Sequence, residues 1–215
     1  MNKLEEKFNL LCNTPSDINE HLNTIKELSQ ECSSVFETGV RGVVTSYAIL
    51  FGLINNNSNN KKNILLNDLL ECDINEFMEI SKPYDISINY IWKNNLEIDF
   101  LEDETYDLTF IDTWHVYGQL KRELEKFSKI TNKYIVMHDT EIDGIYGETR
   151  RPSGLYYNLF MQNNLDDLIK TTKIPKEEIL NGLKPAIFEF INNNTEWEIY
   201  KIYTNNNGLT ILKRK

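Results

Sequence analysis

The sequence predicts an α/β protein with a doubly wound, mostly parallel sheet of seven strands that closes in an antiparallel hairpin. Three observations carry this expectation. Five short apolar runs, at residues 35–36, 64–66, 86–92, 107–112 and 134–137, alternate with stretches of helical periodicity. A glycine turn, Glu37-Thr38-Gly39-Val40-Arg41-Gly42, links the first run to an apolar helix. Two further strands flank an Asn-Gly turn near the C-terminal end. Alternation of strands and helices demands right-handed crossovers, and hence a Rossmann-like order.

Each element has its own local reason. Residues 16–32 open with Ser16, a good helix cap, and carry Leu22, Ile25 and Leu28 at helical spacing. Val35-Phe36 is a strand core, and residues 44–53 form a mostly apolar helix after the glycine turn. Ile64-Leu65-Leu66 ends in Asn67-Asp68 as the second strand. A helix over 75–81 leads to a third strand at Ile86–Trp92. Asp107–Asp112 is the fourth strand, and residues 116–127 form a helix with Leu120, Leu124 and Phe127 on one face. Tyr134–Met137 is the fifth strand. Residues 141–153 are polar, contain two glycines and a proline, and read as an active-site loop. Residues 155–191 hold two or three helical stretches. Strands at 196–203 and 209–212 flank Thr204-Asn205-Asn206-Asn207-Gly208, a hairpin signal.

The whole chain, 1–215, reads as one domain. Its parts are an N-terminal helical segment (1–32), a cofactor-binding core (33–140), a loop-and-helix substrate cover (141–194) and the hairpin (195–215). At 40% hydrophobic and 26% charged residues, the chain can bury one real core. A formal net charge of −10 argues against nucleic acid as a partner, since phosphate binding needs a basic stripe. Arg150-Arg151 is the best local basic patch. Three cysteines, Cys12, Cys32 and Cys72, lack CxxC spacing, which argues against disulfides and structural zinc and points to a reducing, cytoplasmic setting. No apolar run suggests a signal peptide or a membrane span.

Candidate site residues fall at strand ends. The turn of Glu37, Thr38, Gly39, Val40, Arg41 and Gly42 suits a nucleotide-like ligand, because Gly39 and Gly42 permit a sharp bend and close approach. Asp68, one βα unit later, can accept both ribose hydroxyls. Asn94 and Asn95 follow the third strand and can meet an adenine edge. The G-x-G-x-x-G spacing of NAD turns is missing. Asp112 and Asp139 end neighbouring strands, with His115 three residues after the first and His138 beside the second. Such oxygen and imidazole groups can hold a divalent cation such as Mg²⁺ at Asp112, His138 and Asp139, or supply a general base at His115 with Asp112 at the reacting centre. The competing reading has His115 capping the helix that follows.

The motifs Phe36-Glu37-Thr38-Gly39-Val40-Arg41-Gly42, Phe110-Ile111-Asp112-Thr113-Trp114-His115 and His138-Asp139-Thr140 together resemble class I S-adenosylmethionine-dependent methyltransferases. The nearest branch in pattern is the metal-dependent O-methyltransferases similar to cephalosporin-hydroxylase-like and macrolide sugar enzymes. The resemblance spans residues 33–212. It implies S-adenosylmethionine contacts at Glu37, Gly39 and Asp68, and metal ligands at Asp112 and Asp139. Two positions depart from the pattern: Arg41 stands where a middle glycine often lies, and His138 where an acid is frequent. Residues 182–190 and 205–209 resemble a subgroup found near polysaccharide-building enzymes, which implies a sugar or another small hydroxylated acceptor and an enzyme that often assembles into homo-oligomers. Two readings stay open beside it: a nucleotide-sugar or NAD-using oxidoreductase, and a non-catalytic binding module on the same fold.

Overall fold

A computed structural model describes residues 2–215. Seven strands form one sheet: β1 (Ser34–Thr38), β2 (Lys62–Asp68), β3 (Ile86–Trp92), β4 (Tyr106–Ile111), β5 (Thr131–His138), β6 (Trp197–Tyr203) and β7 (Leu209–Arg214). Their order is β3-β2-β1-β4-β5-β7-β6. β1 lies parallel to both β2 and β4, β2 is parallel to β3, and β6 runs antiparallel to β7. The doubly wound α/β fold with a terminal hairpin is therefore observed as expected. Residue contacts group the chain into two compact units: residues up to Thr113 with Ile130–Val136, and Trp114–Lys129 with Met137–Lys215.

In the first unit, helix α1 (Lys3–Asn13) precedes α2 (Leu22–Gln30), and α3 (Val44–Ile54) follows β1. Eight residues of α3 are buried, so it is apolar nearly all round. That pattern needs cover on its outer side, which α1 and α2 supply. α2 crosses α3 at Gly52, where a Cβ would come within 2.3 Å of the Lys26 carbonyl oxygen. Val35, Phe36, Ile64, Leu66, Leu108 and Phe110 fill the sheet interior and are almost wholly removed from water. Each such side chain contributes about 1.5–3 kcal/mol of burial. Helix α4 (Asn75–Ser81) leads into β3. Ser16 does not cap α2: its Oγ accepts from the amides of Ile18 and Asn19, closing a 3₁₀ turn at Asn19–His21 before the helix starts.

In the second unit, α5 (Tyr117–Phe127) packs against α8 (Lys176–Ile179) and α9 (Leu183–Asn193). Polar links reinforce this packing, with Lys121 Nζ 2.8 Å from Glu189 and Arg122 Nη1 2.6 Å from Glu178. The region expected to hold two or three helical stretches contains four helices, the first two being α6 (Tyr157–Met161) and α7 (Asp166–Thr172). The hairpin loop has Asn206 and Asn207 at φ 47° and 66°, a left-handed conformation that asparagine tolerates. Asn207 accepts from the amides of Glu141 and Ile142, tying the hairpin loop to the segment after β5. No helix among the described residues is long and apolar enough to cross a membrane. All three cysteines are free thiols.

Candidate functional site

The first unit carries a carboxylate-lined turn at the end of β1. Gly39 takes φ +89°, and a Cβ there would stand 1.8 Å from the backbone oxygen of Asp112. No other residue type fits without moving the backbone. Arg41 and Val43 also have positive φ, 37° and 61°. For a β-branched residue such as Val43 this is a strained conformation. The turn is pinned from β2. The Gly39 amide donates to the Asn67 carbonyl at 2.9 Å, and the Arg41 amide donates to Asp68 Oδ2 at 2.8 Å.

Glu37 has a side chain with no solvent exposure. Its Oε2 accepts from Ser46 Oγ at 2.6 Å, while Oε1 has no hydrogen-bond partner among the described residues. Burial pushes its pKa up to about 8, opposed by the Ser46 hydrogen bond and reinforced by the negative charges of Asp112 and Asp68. Three carboxyl groups thus lie at one turn, and their mutual repulsion helps Glu37 to keep its proton at neutral pH. A cationic ligand relieves that repulsion, whereas a diphosphate would add to it.

The other expected cofactor residues are placed as follows. Asp68 is half-buried, and its oxygens accept from Arg41 and Leu70 amides, leaving one lone pair on each. Thr38 Oγ1 donates to Asn67 Oδ1 and accepts from Asn95 Nδ2. Asn95 is therefore buried as a brace inside the unit, and Asn94 caps a 3₁₀ turn through the Leu96 amide. Val40 is buried, Gly42 is exposed, and the Arg41 guanidinium reaches outward to Asp17 at 3.0 Å. Asn67, which no sequence motif marked, is the hub of this layer: its Nδ2 also donates to the carbonyls of Ile91 and Lys93. Its only sequence signal is a polar residue ending an apolar strand.

The second unit carries an imidazole ringed by carboxylates. His115 Nδ1 lies 3.0 Å from Asp139 Oδ2, 3.2 Å from Asp143 Oδ2 and 3.6 Å from Glu148 Oε2. Glu148 and His115 are also linked along the backbone, since the Glu148 amide donates to the His115 carbonyl at 2.9 Å. Arg151 Nε stands 3.3 Å from Asp143 Oδ1. Asp139 takes φ 56°, and the Asp143 amide donates to its carbonyl, so the two carboxylates share one tight turn. His138 is buried, with Nε2 3.3 Å from the Asn206 carbonyl and Nδ1 3.5 Å from Asp139 Oδ1. His115 does not cap α5; Val116 occupies the cap position and makes no side-chain cap bond.

The structure therefore brings His115 to Asp139 within one unit, while Asp112 belongs to the first unit with Glu37 and Asp68. Sequence reasoning missed Asp143 and Glu148, and read Arg151 only as part of a basic patch. The first offers a faint signal, standing four residues after Asp139 at one helical turn's spacing. Trp114 and Tyr117 serve packing: Trp114 stacks edge-on with Tyr156 over the Leu165, Leu168, Ile174 and Ile179 cluster, and the Tyr117 hydroxyl bonds Glu189. A cavity of about 550 Å³ opens beside this cluster, lined by Asp143, Arg151, Tyr146, Arg150 and Phe160 among others. Arg150 lies over the rings of Tyr146 and Phe160 at 5.5 and 5.6 Å.

No family model matches the chain, and no curated protein matches it either. Solved structures do. The chain is similar to the S-adenosylhomocysteine-bound methyltransferase PaMTH1 of Podospora anserina, with 13% identity, 99% of this chain and 87% of that one covered, and a TM-score of 0.54. It is similar to an O-methyltransferase of Bacillus cereus in complex with S-adenosylhomocysteine (12%, 99% and 90%, TM-score 0.57). It is also similar to the O-methyltransferase TomG of Streptomyces achromogenes, involved in tomaymycin synthesis and solved with S-adenosylmethionine (11%, 99% and 86%, TM-score 0.59). At these identities the likeness establishes the shared fold.

Proposed function

We propose that this protein is an S-adenosylmethionine-dependent O-methyltransferase acting on a small hydroxylated acceptor, with a sugar as the leading class. The observation that carries the reading is the glycine turn of β1 lined by Glu37, Asp68 and Asp112. S-adenosylmethionine presents an ammonium and a sulfonium, and both favour a carboxylate-rich turn. NAD presents a diphosphate, which the same turn repels. The O-methyltransferases of like fold that were solved with the cofactor or its product support the same reading.

The residues fit the cofactor. Glu37 Oε1 is a buried acceptor that a ligand amine or bound water can satisfy. Gly39 lets the turn pack directly on the Asp112 carbonyl, where any side chain would collide, and so fixes the course of the loop. Asp68 is held by two backbone amides with lone pairs to spare for a ribose diol. S-adenosylmethionine supplies an already activated methyl group, so the protein's tasks are positioning and proton removal. His115 and the carboxylates around it handle the acceptor's hydroxyl proton. An imidazole backed by carboxylates can take that proton as a base, worth roughly 10²–10⁴ in rate. The same donor types can hold a divalent cation that acidifies the hydroxyl. The acceptor class and homo-oligomer formation rest on the sequence resemblance, and a cytoplasmic setting on the cysteine pattern.

The decisive experiment is calorimetry of the purified protein with S-adenosylmethionine and, separately, NAD. Heat and saturation with the former alone support the reading; saturation with NAD alone replaces it with an oxidoreductase.

A further inference from the structure

We infer that His115, Asp139, Asp143 and Glu148 form a site for one divalent transition cation of the Mn²⁺ type, which shares only Asp139 with the Asp112, His138 and Asp139 set that the sequence suggests. Three carboxylate oxygens converge on a single imidazole nitrogen, at 3.0, 3.2 and 3.6 Å. One ring nitrogen carries at most one proton and points it along one line. It cannot serve both Asp139 and Asp143, while Glu148 Oε2 accepts from the His115 backbone amide at 3.5 Å. The Asp143 carboxylate makes the point most sharply: it is 1% exposed, and neither oxygen has a hydrogen-bond partner among the described residues. Its neighbours are the His115 nitrogen at 3.2 Å and Arg151 Nε at 3.3 Å, both ion-pair contacts.

Charge and geometry both suit a cation. Asp139, Asp143 and Glu148 bring three negative charges. Arg151, also 3.9 Å from Glu148 Oε1, offsets one of them. The two that remain equal the charge of a divalent ion held by a neutral imidazole. Donors bound at right angles to an ion at about 2.1 Å stand about 3.0 Å apart. The His115–Asp139 and His115–Asp143 separations match that edge, and the ligand atoms of these three residues all lie within 4.8 Å of one another. Carboxylates suit Mn²⁺ as they do Mg²⁺ and Ca²⁺, and the one imidazole nitrogen favours a first-row transition ion among them.

The donors are held in place without the ion. Asp139 and Asp143 sit on one turn, closed by the Asp143 amide and braced by the Asn207 carbonyl. The Glu148 amide fixes that residue to His115. Asp143 and Arg151 also line the cavity of about 550 Å³, which gives the ion a path and an acceptor hydroxyl a way to reach it. The ion site stands on this geometry; only its role in acidifying the acceptor hydroxyl rests on the methyltransferase reading.

The test uses full-length protein stripped with a chelator and titrated with Mn²⁺, free ion being followed by electron paramagnetic resonance. One Mn²⁺ should bind per chain. His115→Gln and Asp143→Asn should each weaken binding at least tenfold, in line with losses of about 10–100-fold seen around metal sites, while Asp112→Asn should weaken it less than either. Pulsed spectra of the bound ion should show nitrogen modulation that His115→Gln removes. Circular dichroism checks each variant, and Glu148→Gln replaces Asp143→Asn if that variant unfolds. The inference is overturned by no bound Mn²⁺ at millimolar metal, by nitrogen modulation surviving in His115→Gln, or by Asp112→Asn abolishing binding that the other variants keep. Calorimetry of the metal-free protein with S-adenosylmethionine reads the β1 turn alone, so failure of the ion site and failure of the methyltransferase reading give different results.

Discussion

Replacing Glu37 with glutamine should make the protein more stable than the wild type at alkaline pH and leave it nearly unchanged below about pH 4. Glu37 is buried, and its pKa rises from an ordinary 4.5 to about 8. Between those values the native state keeps a proton that the unfolded chain has released. Stability therefore falls as pH rises through that window, by up to about 1.4 kcal/mol per pH unit. From pH 5.5 to 8.5 the two titration curves integrate to about 3 kcal/mol, an upper figure because a relaxing site lowers it. Glutamine resembles the protonated acid in shape and does not titrate. Urea unfolding of Glu37→Gln and wild type at pH 5.5, 7.0 and 8.5 isolates this one group, since other titrations cancel in the difference. The difference should grow steadily in favour of the variant as pH rises. A difference that stays flat within about 0.5 kcal/mol would mean that Glu37 ionises as a solvated acid and that the turn holds no stored repulsion.

Other consequences follow from the same turn. Gly39→Ala forces a side chain to φ +89° and into the Asp112 carbonyl, so it should cost at least about 2 kcal/mol and lower Tm by roughly 4–8 °C, with cofactor binding lost in calorimetry; a wild-type melt would show that the turn opens freely. Asp68→Ala removes the acceptor for two backbone amides, and should reduce S-adenosylhomocysteine affinity at least tenfold while costing about 1–3 kcal/mol of stability. Unchanged affinity would move the ribose away from β2. S-adenosylmethionine at about 100 times its Kd should add about 2.7 kcal/mol and raise Tm by roughly 5–10 °C, with NAD giving no shift; the reverse order in differential scanning would sink the cofactor assignment.

The parts of the fold that the sequence discloses are those fixed by local rules. Ile86–Trp92 has the bounds expected of it because β-branched residues stop where Lys93-Asn94 begins. Gly39 is legible because only glycine fits its conformation. α3 reads as apolar throughout, yet nothing local says what covers its outer face. Ser16 looks like the cap of α2 but closes a turn three residues earlier, since capping geometry depends on the path into the helix. Asn94 and Asn95 illustrate the harder limit. Both sit after a strand, where ligand contacts are common, but one caps a turn and the other braces Thr38. The ring around His115 was beyond reach for a related reason. Asp143 and Glu148 lie in a loop whose course is set by the carbonyl of Asn207, more than sixty residues away in sequence. Asn205-Asn206-Asn207 resembles compositional noise until its left-handed backbone is seen to hold that loop.

Strain and charge coincide at two places. The described residues with positive φ other than glycine include Arg41 and Val43 just after β1, and Asp139 just after β5. Each such conformation costs on the order of 1–3 kcal/mol. Beside the first pair stand Glu37, Asp68 and Asp112; beside the last stand His115, Asp143 and Glu148. A fold selected for stability alone would relax these turns or replace their acids with apolar residues, as the interior of β1 does at Val35 and Phe36. Burial of the sheet offsets these local costs, and a bound cation returns part of them by satisfying the carboxylates. Ligand binding should therefore stabilise this protein most where its backbone is least comfortable, and slow amide hydrogen exchange of Gly39, Arg41 and Asp143 ahead of the strand interiors.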